Sequence, residues 1–165
     1  MKLTLRQKTL KLMDTFEMTD ETGRMLFSAK GRISVGKRVD LLDSLGESVG
    51  YVRERLVDLL PHYMIYEGDE HIGDIVKDLS VVRDRFSFTF SKWVVKADLV
   101  GFSYEILEGR RVVAKISRRA VRVVHPVYDI EIADDADTVR VLLAVMAILA
   151  MSSEKDYKDN LLRRG

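Results

Sequence analysis

The part of the chain best suited to bind a ligand is the basic stretch from Arg110 to Arg122, which contains six cationic side chains and no acidic one. On a β-strand, alternate side chains project from one face, so Arg111, Lys115 and Arg119 share a face. Successive positions on that face are about 6 to 7 Å apart, so these cations, at every second position, are roughly 13 Å apart. A row of outward cations can contact the phosphate groups of a lipid headgroup or a nucleic-acid backbone. The sequence therefore predicts an anion- or lipid-binding site at these three residues, which we call the basic row.

A solvated outer strand explains the same residues without a ligand. Charged side chains on exposed strands also protect a sheet against edge-to-edge pairing. The chain has 27 Lys and Arg against 26 Asp and Glu, so its formal charge of +1 supplies no long-range attraction to a polyanion. Arg118 has inward parity, as does Lys77, and both are expected at the rim of the fold, where a long side chain reaches water. Both interpretations stay open, and no nucleic acid partner is expected.

The sequence gives little evidence of a catalytic site. The chain has no cysteine, and His62, His71 and His125 stand in no recognised catalytic or metal-binding motif. Because His62 and His71 flank one hairpin while His125 follows another, we expect the three histidines to lie far apart. The sequence therefore predicts a non-enzymatic protein with no catalytic residues, no metal site and no cofactor.

A group of acidic residues near the C-terminus could in principle bind a hard cation. Its members are Asp129, Glu131, Asp134, Asp135 and Asp137. Strand alternation places the first two on an outer face, and Asp135 or Asp137 suits the N-cap of a helix. The segment lacks the glycine and the ligand spacing of an EF-hand loop. Capping and solvation are therefore the preferred interpretation.

Two similar hairpins occupy the middle of the chain. The first hairpin (residues 63–77) and the second hairpin (residues 104–118) each consist of a strand, a Glu-Gly turn and a return strand. Weaker versions have their turns at residues 20–23 and 43–46. Turn signals at such regular intervals predict a meander of hairpins, and hence a β-sandwich or a β-barrel.

The apolar segment from Val141 to Met151 contains eleven residues without a polar side chain, which predicts a helix surrounded by protein on every side. A helix from Thr138 to Met151 would be about 21 Å long, too short for a hydrocarbon core of about 30 Å. Leu142, Val145 and Leu149 are expected among its most buried side chains, together with Met146. Since a barrel has an interior for this helix, the sequence predicts a mostly β fold with one buried C-terminal helix.

Length and composition indicate one domain. A chain of 165 residues that is 47% apolar can form a single core. We expect this domain to cover residues 1–153, with a mobile polar C-terminal tail at 154–165. The absence of cysteine and the early charges at the N-terminus favour a cytoplasmic location, with peripheral membrane contact as an extension of the lipid-binding hypothesis. A closed barrel has no free edges, so a monomer is expected.

Short motifs along the chain resemble those of one protein family. They are Leu5-Arg6-Gln7-Lys8, Leu41-Leu42-Asp43-Ser44-Leu45-Gly46, Tyr63-Met64-Ile65, Lys96-Ala97-Asp98, Tyr104-Glu105-Ile106 and Tyr128-Asp129-Ile130-Glu131-Ile132-Ala133-Asp134, followed by the apolar helix. In this order they resemble the LURP-one-related (YxjI-like) family. The resemblance implies the fold of the tubby C-terminal domains and phospholipid scramblases, a closed barrel of about twelve antiparallel strands threaded by a helix.

The resemblance implies less about function. Members of the family are mostly uncharacterised, tubby domains bind phosphoinositides through a basic patch on the barrel exterior, and a shared fold does not carry an activity with it. The preferred hypothesis is a binding or scaffold module that docks to an acidic phospholipid or a protein partner through the basic row. The alternative is a carrier of a small apolar ligand inside the barrel. Phospholipid scrambling is least favoured, because the apolar segment is too short and the cysteine-rich and calcium-binding features of scramblases are missing.

Overall fold

The computed structural model describes residues 1–8, 15–34, 36–56, 60–78, 85–98, 103–119 and 126–164. Over these residues, twelve antiparallel strands close into a barrel with one helix, which confirms the predicted fold class. The elements are β1 Lys2–Gln7, β2 Thr15–Thr19, β3 Met25–Ser34, β4 Gly36–Asp43, β5 Ser48–Glu54, β6 His62–Glu67, β7 Glu70–Asp78, β8 Arg85–Phe88, β9 Trp93–Asp98, β10 Ser103–Glu108, β11 Arg111–Arg118, β12 Val127–Ile132 and α1 Thr138–Arg164.

Each strand pairs with its neighbours along the chain, and the barrel closes where β1 pairs with β12. The closing ladder runs from Lys2 opposite Glu131 to Arg6 opposite Val127. Closure gives every described strand a partner on both sides, so it removes the free edges through which sheets pair. Because the strands alternate in direction, the turns after β2, β4, β6, β8 and β10 all lie at the end where α1 begins.

The first half of α1 forms the centre of the core. Leu142 and Val145 are fully buried, while Met146 is 3% and Leu149 8% exposed. The barrel wall approaches the helix closely, since a Cβ atom added to Gly50 would lie 3.1 Å from Cδ1 of Leu143. The prediction of a helix buried on every side is therefore confirmed, and each such side chain contributes about 1.5 to 3 kcal/mol through burial.

The helix begins where predicted but continues further. Asp137 caps it, because its carboxylate accepts a hydrogen bond from the N–H of Arg140 at 3.1 Å. The predicted end was Met151, whereas helical backbone continues to Arg164. Several residues after Met151 are good helix formers, and extending a formed helix requires no new nucleation. The division of the chain at residue 153 stays a prediction.

The two predicted hairpins are present as β6–β7 and β10–β11 and share an irregularity. Gly68 and Gly109 occupy their turns with φ of 59° and 61°, a left-handed conformation that favours glycine. In both hairpins the pairing register shifts immediately after an isoleucine, Ile65 in the first and Ile106 in the second. Each shift is a β-bulge, which changes the face on which the following side chains lie.

Candidate functional site

Lys115 and Arg119 lie on the outside of β11, as predicted. The prediction that Arg111 shares their face is wrong, because the bulge opposite Ile106 places Val112 on the outer face instead. Arg111 begins the strand, Lys115 lies in its middle and Arg119 follows its end, and all three side chains are exposed. Arg118 is exposed at the end of the same strand, and Lys77 is half-buried near the end of β7. These two positions agree with the predicted rim.

Arg111 contacts carboxylates at the end where α1 begins. Its guanidinium donates to Asp135, in the turn before α1, and lies 3.2 Å from Glu108 at the end of β10. Exposed ion pairs contribute roughly 0 to 1 kcal/mol to stability. For ligand binding the ion pairs matter more, because the two carboxylates offset the one positive charge that the basic row has at this end.

Arg119 forms a two-pronged ion pair with Asp129 on β12. Its Nε donates to Oδ2 at 2.8 Å and its Nη2 donates to Oδ1 at 2.6 Å. Hydrogen bonding by Arg119 lowers the pKa of the Asp129 carboxyl despite an opposing effect of burial. A parallel arrangement of this kind matches the planar guanidinium to the carboxylate, so Arg119 already has an anionic partner.

Lys115 occupies a row of alternating charge that runs across the barrel wall. Glu105 on β10 and Glu131 on β12 lie directly opposite it in the two ladders. The pattern continues outward, with Lys96 opposite Glu105 and Lys2 opposite Glu131. Opposite charges at facing positions stabilise a sheet by roughly 0.2 to 1 kcal/mol per pair. The wall around Lys115 is therefore electrically balanced.

These contacts favour a structural role for much of the basic row. Each of its three cations faces at least one carboxylate, so the row alone presents no excess positive charge to a ligand. Anion binding by Arg111, Lys115 and Arg119 stays a prediction.

An uneven distribution of charge appears when the two halves of the barrel are compared. We call the half where α1 begins, with its turns, the acidic half. Its basic side chains are Lys2, Arg24, Lys92, Arg110, Arg111 and Arg140. They are outnumbered by Asp20, Glu21, Asp43, Glu47, Glu67, Asp69, Glu70, Glu108, Glu131, Asp134, Asp135 and Asp137.

The opposite half, which we call the basic half, has the reverse excess. Its acidic side chains in the described residues are Glu17, Asp40, Glu54, Asp74, Asp98, Glu105 and Asp129. They are outnumbered by Arg6, Lys8, Lys30, Lys37, Arg38, Arg53, Arg55, Lys77, Lys96, Lys115, Arg118 and Arg119. Ion pairs within a half leave its net charge unchanged. Over the described side chains the barrel is therefore polarised, although the whole chain is nearly neutral.

Part of this polarity complements the helix. The N-terminus of a helix carries a partial positive charge and its C-terminus a partial negative one. The start of α1 lies in the acidic half, where Arg140 donates to Glu67 at 2.8 Å and lies 3.6 Å from Asp137. The dipole acts only within about one turn of each helix end, so it does not account for charges on distant strands.

Two histidines converge on one carboxylate, so the prediction that the histidines lie far apart is wrong for this pair. Nε2 of His62 is 2.6 Å from Oδ2 of Asp74, and Nε2 of His71 is 2.5 Å from its Oδ1. Burial alone would raise the pKa of the Asp74 carboxyl. The interactions with His62 and His71 lower this pKa by more, so the net shift is downward. His125 lies outside the described residues.

The bulge in the first hairpin explains this arrangement. His71 and Asp74 are three positions apart, so strict alternation would place them on opposite faces of β7. The register shift pairs Ile65 with Gly73 but Tyr66 with His71, which brings His71 onto the outer face with Asp74. Thr89 on the other side fixes Asp74 by accepting a hydrogen bond from its N–H at 2.8 Å.

Stacked rings extend this cluster across three more side chains. His71 stacks on Tyr66 with ring centroids 5.0 Å apart, and Tyr66 stacks on Tyr51 at 4.3 Å. The guanidinium of Arg38 lies 3.7 Å above the Tyr51 ring. Such contacts add roughly 0.5 to 1.5 kcal/mol each beyond burial. The outer wall from β4 to β7 is thus held by one continuous set of side-chain contacts.

Sequence reasoning missed both the charge polarity and the histidine cluster. The acidic hairpin turns were a usable signal for the first, since alternate turns of a meander lie at the same end. In the described residues no group of three His, Asp or Glu side chains is arranged to hold a metal ion. The one described helix is not long and apolar enough to cross a membrane.

Comparison with known proteins agrees with the resemblance found in the motifs. The model of the LURP-one-related family matches residues 1–150. A Bacillus subtilis (strain 168) protein named "Uncharacterized protein YxjI" is 24% identical over 160 residues, which cover 96% of this chain and 98% of that protein. No solved structure gives a significant match.

Proposed function

The chain belongs to the LURP-one-related family, and from that premise we propose that it is a non-enzymatic binding module whose basic half docks onto an anionic surface, an acidic phospholipid bilayer. The observation that supports this function is the separation of charge between the two halves of the barrel. The proposed docking surface is therefore the basic half, which is wider than the basic row. It includes Lys115 and Arg119 but not Arg111.

The length of the barrel makes the polarity effective. Strands of four to ten residues are roughly 13 to 33 Å long. Electrostatic interactions in water are screened over about 8 Å at physiological ionic strength. The acidic half therefore lies too far away to cancel the attraction between the basic half and a surface in contact with it. Each Lys or Arg near an anionic bilayer contributes about 1 kcal/mol.

The first five strands offer the most accessible part of this surface. Arg6 on β1, Lys30 on β3 and Arg55 after β5 are all exposed in the basic half. Arg53 and Arg38 lie on the outer face between them, with Arg38 paired to Asp40 at 2.8 Å. Several cations at one end can act together, which a single ion-paired cation cannot do.

Carriage of a small apolar ligand is less well supported. The segment from Val141 to Ile148 is at most 3% exposed, and Leu143 lies against the wall at Gly50. A carrier needs a cavity of several hundred Å³ for its ligand, and close packing of Leu143 against the wall at Gly50 leaves less room for one. Docking through the exterior requires no such cavity.

Sedimentation with vesicles tests the proposal. One variant combines Arg6→Glu, Lys30→Glu and Arg55→Glu. A matched control makes the same change in net charge in the acidic half, with Lys2→Glu, Lys92→Glu and Arg110→Glu. We expect the wild type and the control to bind phosphatidylcholine vesicles that contain phosphatidylserine, and the basic-half variant to lose binding. Circular dichroism checks that all three proteins are folded.

Salt and lipid composition complete this test. Wild-type binding should weaken steeply as salt is added and should be absent with phosphatidylcholine alone. Wild-type protein that ignores the acidic vesicles at low salt would refute membrane docking. Equal losses in the two triple variants would show that net charge, and not the basic half, controls binding.

A further variant addresses the basic row itself. Arg111→Glu, Lys115→Glu and Arg119→Glu would reverse all three cations that the sequence singles out. Because Arg111 lies in the acidic half and the other two face carboxylates, we expect a smaller loss of binding than in the basic-half variant. A larger loss of binding in this variant would show that the binding site is the basic row and not the wider basic half.

A further inference from the structure

The histidine cluster joins the basic half at one of its members. His62 begins β6, and its carbonyl accepts a hydrogen bond from the N–H of Arg55 at 2.9 Å. Its side chain is 13% exposed, that of Asp74 is 14% exposed and that of His71 is 46% exposed. The cluster is thus accessible to solvent at His71 and reaches the docking surface at His62.

Titration of the cluster would change its charge without dismantling it. Histidine is the side chain whose ordinary pKa lies between pH 5 and 8. In its neutral form with the proton on Nε2, and also as the imidazolium, the ring can donate from Nε2 to Asp74. The lowered pKa of Asp74 keeps this carboxylate ionised over the same range. With both rings neutral the cluster carries one negative charge, and with both protonated it carries one positive charge.

The residues around the cluster do not cancel this change in charge at the docking surface. By register, the groups that face the cluster are Arg53 and Arg55 from β5, Tyr66 from β6 and Glu70 from β7. From β8 the facing residues are Ser87 and Thr89, which do not titrate in this range. Beyond Asp74, the charged residues that face His62 by register are therefore arginines of the basic half.

Resting on the proposed function, we infer that the His62–Asp74–His71 cluster makes docking pH-dependent, so that the basic half binds an anionic bilayer more tightly as the pH falls from 8 to 5.5. The mechanism is the addition of positive charge at His62, beside Arg53 and Arg55, since His71 lies at the start of β7 in the acidic half. Each added charge near an anionic bilayer should strengthen partitioning about fivefold.

Vesicles of phosphatidylcholine and phosphatidylglycerol provide the test, because the charge of phosphatidylglycerol is constant over this range. The variant His62→Gln with His71→Gln keeps a side-chain amide donor at each position but cannot titrate. His125→Gln is the matched control, because it removes the third histidine of the chain and leaves His62 and His71 in place. We expect wild type and His125→Gln to bind about fivefold or more tightly at pH 5.5 than at pH 8, and the double variant to bind with nearly the same affinity at both.

The outcomes separate this inference from the proposed function. Binding by the wild type that is equal at pH 8 and pH 5.5 would refute the pH dependence and leave docking intact. A double variant that responds to pH as the wild type does, or a response lost in His125→Gln, would assign the effect to other groups. Absence of wild-type binding at both pH values, at low salt, would refute the docking proposal itself.

Discussion

The two similar hairpins share their inward residues and differ in their outward ones. The inward pairs at matching positions are Tyr63 with Tyr104, Ile65 with Ile106, Ile75 with Ile116 and Lys77 with Arg118. The outward pairs are His62 with Ser103, Met64 with Glu105, Tyr66 with Leu107, His71 with Val112 and Asp74 with Lys115. Apart from Lys77 and Arg118 at the rim, the inward side chains pack in a common core, which restricts their size and polarity. The outward side chains meet solvent, so the same backbone can support different chemistry.

The difference shows where function can differ within this fold. Both hairpins have a glycine turn and a bulge at the same place. On the first, the bulge brings His71 beside Asp74. On the second, the equivalent positions are Val112 and Lys115, and Lys115 joins the row of alternating charge. The bulge is thus a feature of the framework, and the residues placed on it determine the chemistry.

The largest expected effect is on the shared inward positions. Ile65→Asp and Ile106→Asp should each prevent folding, because a fully buried residue would become a carboxylate that must lose its charge or remain unpaired. Circular dichroism and thermal melting would check this. The matched changes Ile65→Val and Ile106→Val should cost only about 0.5 to 1.5 kcal/mol each. If one of the aspartate variants melts close to the wild type, the two hairpins do not share one core.

A smaller effect is expected where the inward positions differ. Gly73 of the first hairpin corresponds to Ala114 of the second. Gly73 has a φ of 154°, and a Cβ atom added to it would lie only 2.6 Å from Cδ1 of Phe90. Gly73→Ala should therefore destabilise by about 2 to 4 kcal/mol through backbone strain and overpacking. Ala114→Gly should cost about 1 kcal/mol. Urea denaturation measures both, and equal costs would contradict the assigned role of Phe90.

The smallest effects are expected on the outward face, where they should differ in pH dependence. Asp74→Asn should destabilise by about 1 to 3 kcal/mol at neutral pH, because asparagine has one acceptor oxygen for two histidines. The folded-state pKa of Asp74 is lowered, so its contribution is present above the unfolded value near 4 and is lost as the pH falls through the folded value. The difference in free energy of unfolding between the wild type and Asp74→Asn should therefore become smaller below about pH 4.

The matching change in the second hairpin is Lys115→Met. Lys115 is exposed and faces Glu105 and Glu131, so this variant should lose about 0.5 kcal/mol or less. Thermal melts from pH 3 to pH 7 would compare the two substitutions. A gap for Asp74→Asn that is constant over this range would contradict the ionic role of Asp74.

Much of the fold could be predicted because burial leaves a local pattern. Alternating apolar residues indicate strands, glycine turns mark the hairpins, and the unbroken apolar run predicts the central helix. The candidate site was less predictable. Lys115 and Arg119 could be placed on one face of a strand, but the bulge that moves Arg111 off that face could not be predicted. The carboxylate partners Glu108, Glu131 and Asp129 also depend on which strands become neighbours. The end of α1 was also misplaced, because a change from apolar to polar residues indicates where burial stops and not where a helix ends.

By itself, the sequence determined the class of fold, the buried helix and the correspondence of the two hairpins, since each follows from residues close together along the chain. Tertiary structure alone decided which charges share a half of the barrel and which histidines share a carboxylate. Strand order sets the first, because antiparallel closure collects alternate turns at one end. A single bulge sets the second, because a shift of one residue moves His71 onto the outer face with Asp74.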